Sequence, residues 1–306
     1  MSRYRNLVLF VALGAIWGGA YPAIKTGLQY VSPVLYAAIR YDVASVLMVG
    51  YVAYSTDYWR PRTRADWVNV ALGGVLIIAA YNGFLFVGET SIPSAVAGIL
   101  VGLMPILTTV FSGALLPDTD LTSAGVVGVL LGFAGILVIS RPDPSNLLSS
   151  DVFGQLFVLG AAASMALGSV LTERFDADQP AVTMEAWSML VGSVVLHAAA
   201  FARPGGSVEF TAELVVMIAY LSVLSSAVAY FIYFDLLDRV GAFEMNFIAY
   251  AAAAFGALFG WLFLSEQITA YTVGGYLCIL GGFLLLKKDE IRDGVADYRT
   301  RARRAD

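Results

Sequence analysis

The chain of 306 residues is 59% hydrophobic and 13% charged, where soluble domains average about 45–50% apolar and about 25% charged residues; with a mean hydropathy of +0.77 it has too few charges to cover itself in water, so lipid must cover it. A net charge of −5 and a sequence pI near 4.9 exclude a nucleic-acid-binding protein, which needs clustered Lys and Arg facing phosphate. One cysteine, Cys278, and one histidine, His197, exclude an internal disulfide and any two-histidine metal site, and both read as packed or lipid-facing residues of apolar runs.

Crossing a hydrocarbon core of about 30 Å takes about 20 helical residues, and a chain inside lipid must satisfy its own backbone hydrogen bonds, which selects helix. Ten stretches meet that demand: residues 7–26, 33–55, 67–88, 93–116, 121–140, 153–173, 181–202, 214–234, 243–264 and 268–286. The gaps hold turn formers such as RPRTRAD, SIPS, PDTD, RPDPSN and DADQP, and none could hold a soluble domain. The first run is too long for the apolar core of a cleaved signal peptide and is expected to be retained.

Span 1 carries AIWGGAYPAIKTG. Trp17 and Tyr21, four apart, share one helical stripe, while Gly14, Gly18 and Pro22 form a small-residue stripe that admits a second helix and lets the proline bend the span. Lys25 at its outer end reads either as a lysine snorkelling to the interface or as a vestibule cation for an anionic substrate group. In span 2, Arg40 stands about 10 Å along the helix from Pro33, where a charge must pair or face water. An ion pair with Glu89 and a substrate-facing guanidinium fit the sequence equally; Asp42, two residues on, points elsewhere.

In span 3, Asn82 and Glu89 share a face and Tyr81 adds a hydroxyl. Gly128 and Gly132 form a G-x-x-x-G in span 5, which serves packing inside a monomer or a weak homodimer. Span 6 adds Ser164 and Ser169. Glu185 in span 7 is the acid best suited to proton coupling, yet its position near the cytoplasmic edge predicts an interfacial placement. Span 8 holds Ser225, Ser226 and Tyr230, and span 9 holds Asn246 and Tyr250, four apart. Most of these groups are expected to serve helix packing, and a subset to orient a ligand.

An even number of spans puts both termini on one side, and fourteen of the eighteen basic residues lie there: Arg3, Arg5, Arg60, Arg62, Arg64, Arg174, Arg239 and seven from Lys287 to Arg304. That side is expected to be cytoplasmic. The halves overlay at a shift of about 147 residues. LTSAGVVGVLLGFAGILVISR falls on ITAYTVGGYLCILGGFLLLKK, with Thr122 on Thr269, Gly128 on Gly275 and Gly135 on Gly282; Asp118 falls on Glu266 and Pro33 on Pro180. Five spans per half is an odd number, so the second half enters the membrane the other way up, as in many secondary transporters.

WGGAYPAIK in span 1, PVLYAAIRYDVAS in span 2, SAVAGILVGLMPILTTVFSG in span 4 and LSEQITAYTVGGYLCILGGFLL towards the C-terminus together resemble the EamA branch of the drug/metabolite transporter superfamily, over about residues 7–288. The resemblance implies a ten-helix exporter or importer of small metabolites working by alternating access, with its cavity among spans 1, 3, 4, 6, 8 and 9. Two positions depart from the family: PDTD replaces the acidic turn usual after span 4, and Ala253 stands where Pro105 falls in the first half, so span 9 has no proline to bend it.

The expectation is therefore an all-α integral membrane protein of ten transmembrane helices in two inverted five-helix repeats, residues 1–140 and 153–288, with a linker at 141–152 and a cytoplasmic tail at 289–306. It is expected to be a multi-pass plasma-membrane transporter of a small organic metabolite such as an amino acid, with export the favoured direction. Its partners would be that substrate and membrane lipids, without nucleic acid, cofactor, metal or catalytic residue. Trp17, Tyr21, Arg40, Tyr81, Asn82, Tyr230, Asn246 and Tyr250 are the candidate substrate residues; Lys25, Glu89 and Glu185 are the candidates for coupling or a vestibule. A membrane enzyme acting on a lipid-linked substrate would need a second histidine, a nucleophile with a base, or clustered acids within a span. A scaffold would lack a polar-lined interior. No P-loop is present, so ATP does not drive the chain directly.

Overall fold

The computed structural model describes residues 2–117, 122–141, 149–175, 177–202, 208–288 and 292; most of the PDTD turn, most of the linker and the tail apart from Arg292 lie outside them. Among the described residues every extended element is a helix, and strand-like pairing is limited to one antiparallel bridge between Val31 and Val208. In chain order the helices are α1 (Ser2–Gly27), α2 (Pro33–Ser55), α3 (Arg64–Leu72), α4 (Tyr81–Gly88), α5 (Ser94–Val101), α6 (Met104–Leu115), α7 (Ser123–Ser140), α8 (Ser150–Arg174), α9 (Ala181–Phe201), α10 (Ala212–Ala219), α11 (Ala229–Val240), α12 (Ala242–Met245), α13 (Ile248–Leu264) and α14 (Ala270–Leu286). Two π-helical segments, Gly73–Ala80 and Tyr220–Val228, join α3 to α4 and α10 to α11 into continuous rods.

Eight of the resulting rods are long and apolar enough to cross a membrane: Tyr4–Gly27, Pro33–Ser55, Arg64–Gly88, Ser94–Leu115, Ser123–Ser140, Ser150–Arg174, Ala181–Phe201 and Ala212–Val240. The apolar helices Ile248–Leu264 and Ala270–Leu286 are shorter. Their outward faces are unlike those of a soluble protein: Leu130, Leu137, Val194, Trp261, Phe263 and Leu277 are exposed, while Tyr36, Phe86, Leu100, Leu103, Ile106 and Met189 are fully buried. Lipid is the solvent that makes such a surface stable.

Three expectations are corrected. Span 4 is two helices, interrupted at Gly102–Leu103, because Pro105 at the start of α6 has no N–H to give and crowds the carbonyl four residues back. Span 9 is interrupted as well, at Asn246–Phe247 between α12 and α13, although it has no proline. Span 8 runs on to Val240, because its last turns carry an Asp235–Arg239 pair at 2.7 Å, reinforced by Arg5 at 3.5 Å, that suits water rather than lipid.

Glycines set the tightest helix pair, α7 on α14. A Cβ on Gly128 would run into the Gly282 carbonyl, and one on Gly135 would lie 2.7 Å from the Gly275 carbonyl. Both helices start alike: Thr122 accepts from the Gly125 N–H and Thr269 from the Thr272 N–H, each at 3.1 Å. Across the α2–α9 seam, His197 is no plain apolar filler. Its Nε2 lies 2.8 Å from Asp42 Oδ2, and Ser193, one turn earlier, donates to the same carboxylate.

Gly282→Leu forces the α7–α14 crossing apart, and overpacking of this kind costs about 1–3 kcal/mol. The expected outcome is a lower unfolding temperature in detergent, read by fluorescence-detected size exclusion after heating. Gly50→Leu, at a position with nothing within 4 Å of the added Cβ, should leave it unchanged.

Candidate functional site

The two π segments build the site. An α-helix commits each carbonyl to the N–H four residues on, whereas an i→i+5 winding widens the turn and turns carbonyls towards other donors. In the second segment the Ser225 carbonyl accepts from Trp17 Nε1 at 3.1 Å, and the Leu221 carbonyl accepts from Ser226 Oγ at 2.9 Å. In the first, the Ile78 carbonyl accepts from Asn82 Nδ2 at 2.8 Å, and the Leu76 carbonyl from Ser164 Oγ at 2.8 Å. Each bond fixes a polar side chain facing inward.

Arg40 sits among these groups and is 7% exposed. One terminal nitrogen donates to Asn82 Oδ1 and the other to Ser226 Oγ, both at 3.3 Å, and Nε has no partner. Ser222 donates to the Arg40 carbonyl at 2.9 Å, fixing the backbone below the guanidinium. The Tyr41 ring centroid is 4.9 Å from Arg40 Cζ. No carboxylate forms an ion pair with Arg40 among the described residues. Of the two readings of Arg40, the ion pair with Glu89 is therefore not formed: Glu89 is fully buried and both of its carboxylate oxygens lack a hydrogen-bond partner.

Span 1 supplies the aromatic side. Besides its bond to Ser225, Trp17 stacks edge-on to Tyr230 at 6.1 Å and against Tyr233 at 5.6 Å. Tyr220 donates to the Ile16 carbonyl at 2.8 Å, tying the same turn down from the other side. Tyr21 lies in a slot between Gly98 of α5 and Gly256 of α13, where added Cβ atoms would stand 3.1 Å and 3.0 Å from its ring. Tyr81 is its neighbour. Gly18 has the role that its stripe predicts, since a Cβ there would meet Phe255 at 2.5 Å and the Ala252 carbonyl at 2.7 Å.

The remaining candidates separate. Lys25 is no free vestibule cation: its Nζ donates to the Glu89 carbonyl at 2.6 Å and the Ile92 carbonyl at 2.9 Å, capping the C-terminal end of span 3, where a cation suits the helix dipole. Glu185, one turn into α9, is enclosed by protein. It is 5% exposed, its Oε1 has no partner, and the Tyr230 hydroxyl is its neighbour. Tyr250 is buried, its hydroxyl has no partner, and its ring centroid is 4.9 Å from that of Phe283 of α14. Asn246 is half-buried in the break between α12 and α13.

The structure thus joins Trp17, Arg40, Asn82 and Tyr230 through the second π segment, with Tyr21 and Tyr81 beside them, and leaves Tyr250 on another helix pair. Ser222, Tyr41, Tyr220 and Tyr233 are additional members. A run of serines in an otherwise apolar span, S-x-x-S-S at 222–226, was the available signal. Also missed is Glu266, which reaches back from the α13–α14 connection to accept from the Ser94 N–H at 2.8 Å, Ser94 Oγ at 2.9 Å and the Ala95 N–H at 3.2 Å. It caps α5, a carboxylate at a helix N-terminus.

The sequence matches the model of the EamA-like transporter family twice, over residues 5–141 and 152–287. It is 26% identical to the uncharacterized transporter YvbV of Bacillus subtilis over 94% of this chain and 92% of that protein. It is 27% identical to the uncharacterized inner membrane transporter YedA of Escherichia coli K12 over 84% of each, and 26% identical to the chloroplastic WAT1-related protein At3g02690 of Arabidopsis thaliana over 90% of this chain and 68% of that one. A crystal structure with 21% identity covers 92% of this chain and 96% of its own at a TM-score of 0.65, a likeness of fold. The chain is a multi-pass membrane protein whose relatives are named as transporters, which favours transport over catalysis.

Removing the Glu266 cap leaves two N–H groups and a hydroxyl at the start of α5 without their acceptor. Glu266→Ala should destabilise the protein by about 2 kcal/mol, seen as an earlier thermal transition, with Glu266→Gln intermediate.

Proposed function

The chain belongs to the EamA-like transporter family, and on that footing we propose that it is a secondary transporter that moves a small organic metabolite by alternating access and receives the substrate's anionic group at Arg40. The observation that carries this reading is a guanidinium inside the bundle held only by neutral oxygens, one from Asn82 in the first half and one from Ser226 in the second. A buried cation of this kind is costly without a counter-charge, and a substrate carboxylate supplies one with the bidentate geometry that Arg prefers. Trp17, Tyr21, Tyr81 and Tyr230 provide an aromatic wall for the rest of the molecule. An amino acid or another small carboxylate fits this pairing.

Ten transmembrane helices in two inverted five-helix repeats, residues 1–140 and 153–288, give the motion. Several observations support that division. The family matches twice, once per half. The π segments begin at Gly73 and Tyr220, the offset of about 147 residues at which the sequences overlay. The caps Thr122 and Thr269 share the offset. Exchanging the halves turns the Gly128–Gly282 contact into the Gly275–Gly135 contact. Two related bundles of opposite orientation can trade roles, opening Arg40 first to one side and then to the other. The basic-residue bias supports cytoplasmic termini, and export is the direction proposed. The molecule acts as a monomer or weak homodimer in the plasma membrane, with its substrate and lipid as partners.

Counterflow in proteoliposomes with a panel of labelled amino acids and organic acids tests this reading: exchange of at least one anionic or zwitterionic member is expected, and no exchange of any member refutes transport of this class. Arg40→Gln should insert and run as a monodisperse species, yet lower exchange by at least about tenfold, the loss of one charge-assisted pair. Loss of the folded protein instead would assign Arg40 to structure.

A further inference from the structure

Glu89 is unexplained by the site as described. It follows the last residue of α4, just beyond the membrane-spanning segment; it is fully buried, and neither carboxylate oxygen has a hydrogen-bond partner. The lysine nearest to it is committed elsewhere, since Lys25 Nζ bonds the backbone carbonyls of Glu89 and Ile92. The charged and titratable groups that act on it are Tyr21 and Lys25 from α1, Tyr36 and Arg40 from α2, Tyr81 from its own rod and Glu266 from the α13–α14 connection. Of these, Glu266 accepts three hydrogen bonds at the start of α5. A carboxylate that is buried without a partner takes up a proton rather than remain charged.

Resting on the anion-binding role assigned to Arg40, we propose that Glu89 is a proton-binding site whose occupancy is linked to that of Arg40, so that a substrate anion and a proton are carried together. Asn82, which holds the guanidinium, lies seven residues before Glu89 on the same face of span 3, about 10 Å away. Without substrate, the Arg40 charge favours the ionised form of Glu89. An anion on Arg40 cancels that charge, and the proton on Glu89 becomes easier to hold. The linkage is reciprocal: protonation of Glu89 tightens anion binding. At this separation, in an interior of intermediate dielectric, the coupling is of order tenfold. Burial pushes the Glu89 carboxyl well above the usual carboxylate range, Lys25 opposes this, Glu266 reinforces it and Arg40 opposes it.

The test uses the full chain in detergent and sodium benzoate as the probe anion, because benzoate has a carboxylate on an aromatic body and stays ionised from about pH 6 to about pH 8. Binding read by tryptophan fluorescence or calorimetry should be about tenfold tighter at the lower pH in the wild type, should lose that dependence in E89Q, and should keep it in E89D. A pH indicator in weakly buffered solution should report uptake of up to one proton per benzoate bound, a measurement on the wild type that needs no variant to fold. Benzoate binding with no pH dependence and no proton uptake, or a dependence that persists in E89Q, overturns the proposal and leaves the anion site standing. No benzoate binding at either pH overturns the anion site and this inference together.

Discussion

A guanidinium inside a lipid-embedded bundle has to be given acceptors and held in place, and much of the interior follows from that demand. Arg40 cannot be neutralised by losing its proton, so its surroundings must supply acceptors. They supply two neutral ones, Asn82 Oδ1 and Ser226 Oγ, each at the long end of hydrogen-bond distance. Neutral acceptors stabilise a cation less than a carboxylate would, and they release it at less cost.

The π segments are how the fold delivers those acceptors without breaking a span. In lipid a backbone carbonyl has no water to turn to, so any departure from α geometry must come with a donor. Here the donors are the site's own side chains, Asn82, Ser164, Ser226 and Trp17. The same bonds that rescue the backbone also orient the residues. Close helix contacts hold the frame around them: Gly74 packs on Val191 of α9, Gly18 on α13, and the α7–α14 glycines lock the periphery.

What the sequence reveals depends on the range of the interaction. Membrane character, the positions of most spans and the family likeness are legible because apolar length, basic-residue bias and motif order are local or cumulative signals. Arg40, Asn82 and Trp17 stand out as polar or amphipathic residues inside apolar runs, each of which demands a reason. The π segments are not legible, because GGVLIIAA and YLSVLSSAV read as ordinary helix; widening is decided by what packs across them. Lys25 shows the same limit. Its position at a helix end is visible, but whether it faces a vestibule or a carbonyl depends on Ile92, 67 residues away. His197 and Asp42 are separated by 155 residues, and only the α2–α9 seam brings them together. The break in span 9 has no proline to announce it.

Charge accounting narrows the functional groups further than proximity does. At the loop end shared by spans 3 and 4, Lys25 meets the carbonyl end of one helix and Glu266 the N–H end of another, so both charges are matched to helix dipoles of opposite sign. Near the other end of α11, Asp235 is matched by Arg239 and Arg5. These groups are explained by the fold. Arg40, Glu89 and Glu185 are buried, and each has a side-chain atom without a partner. A stable core would have selected against all three, since apolar residues of similar volume are no worse and often better there. Their presence together in one interior, a cation and two carboxylates with no ion pair between Arg40 and either among the described residues, is a cost that stability alone does not explain.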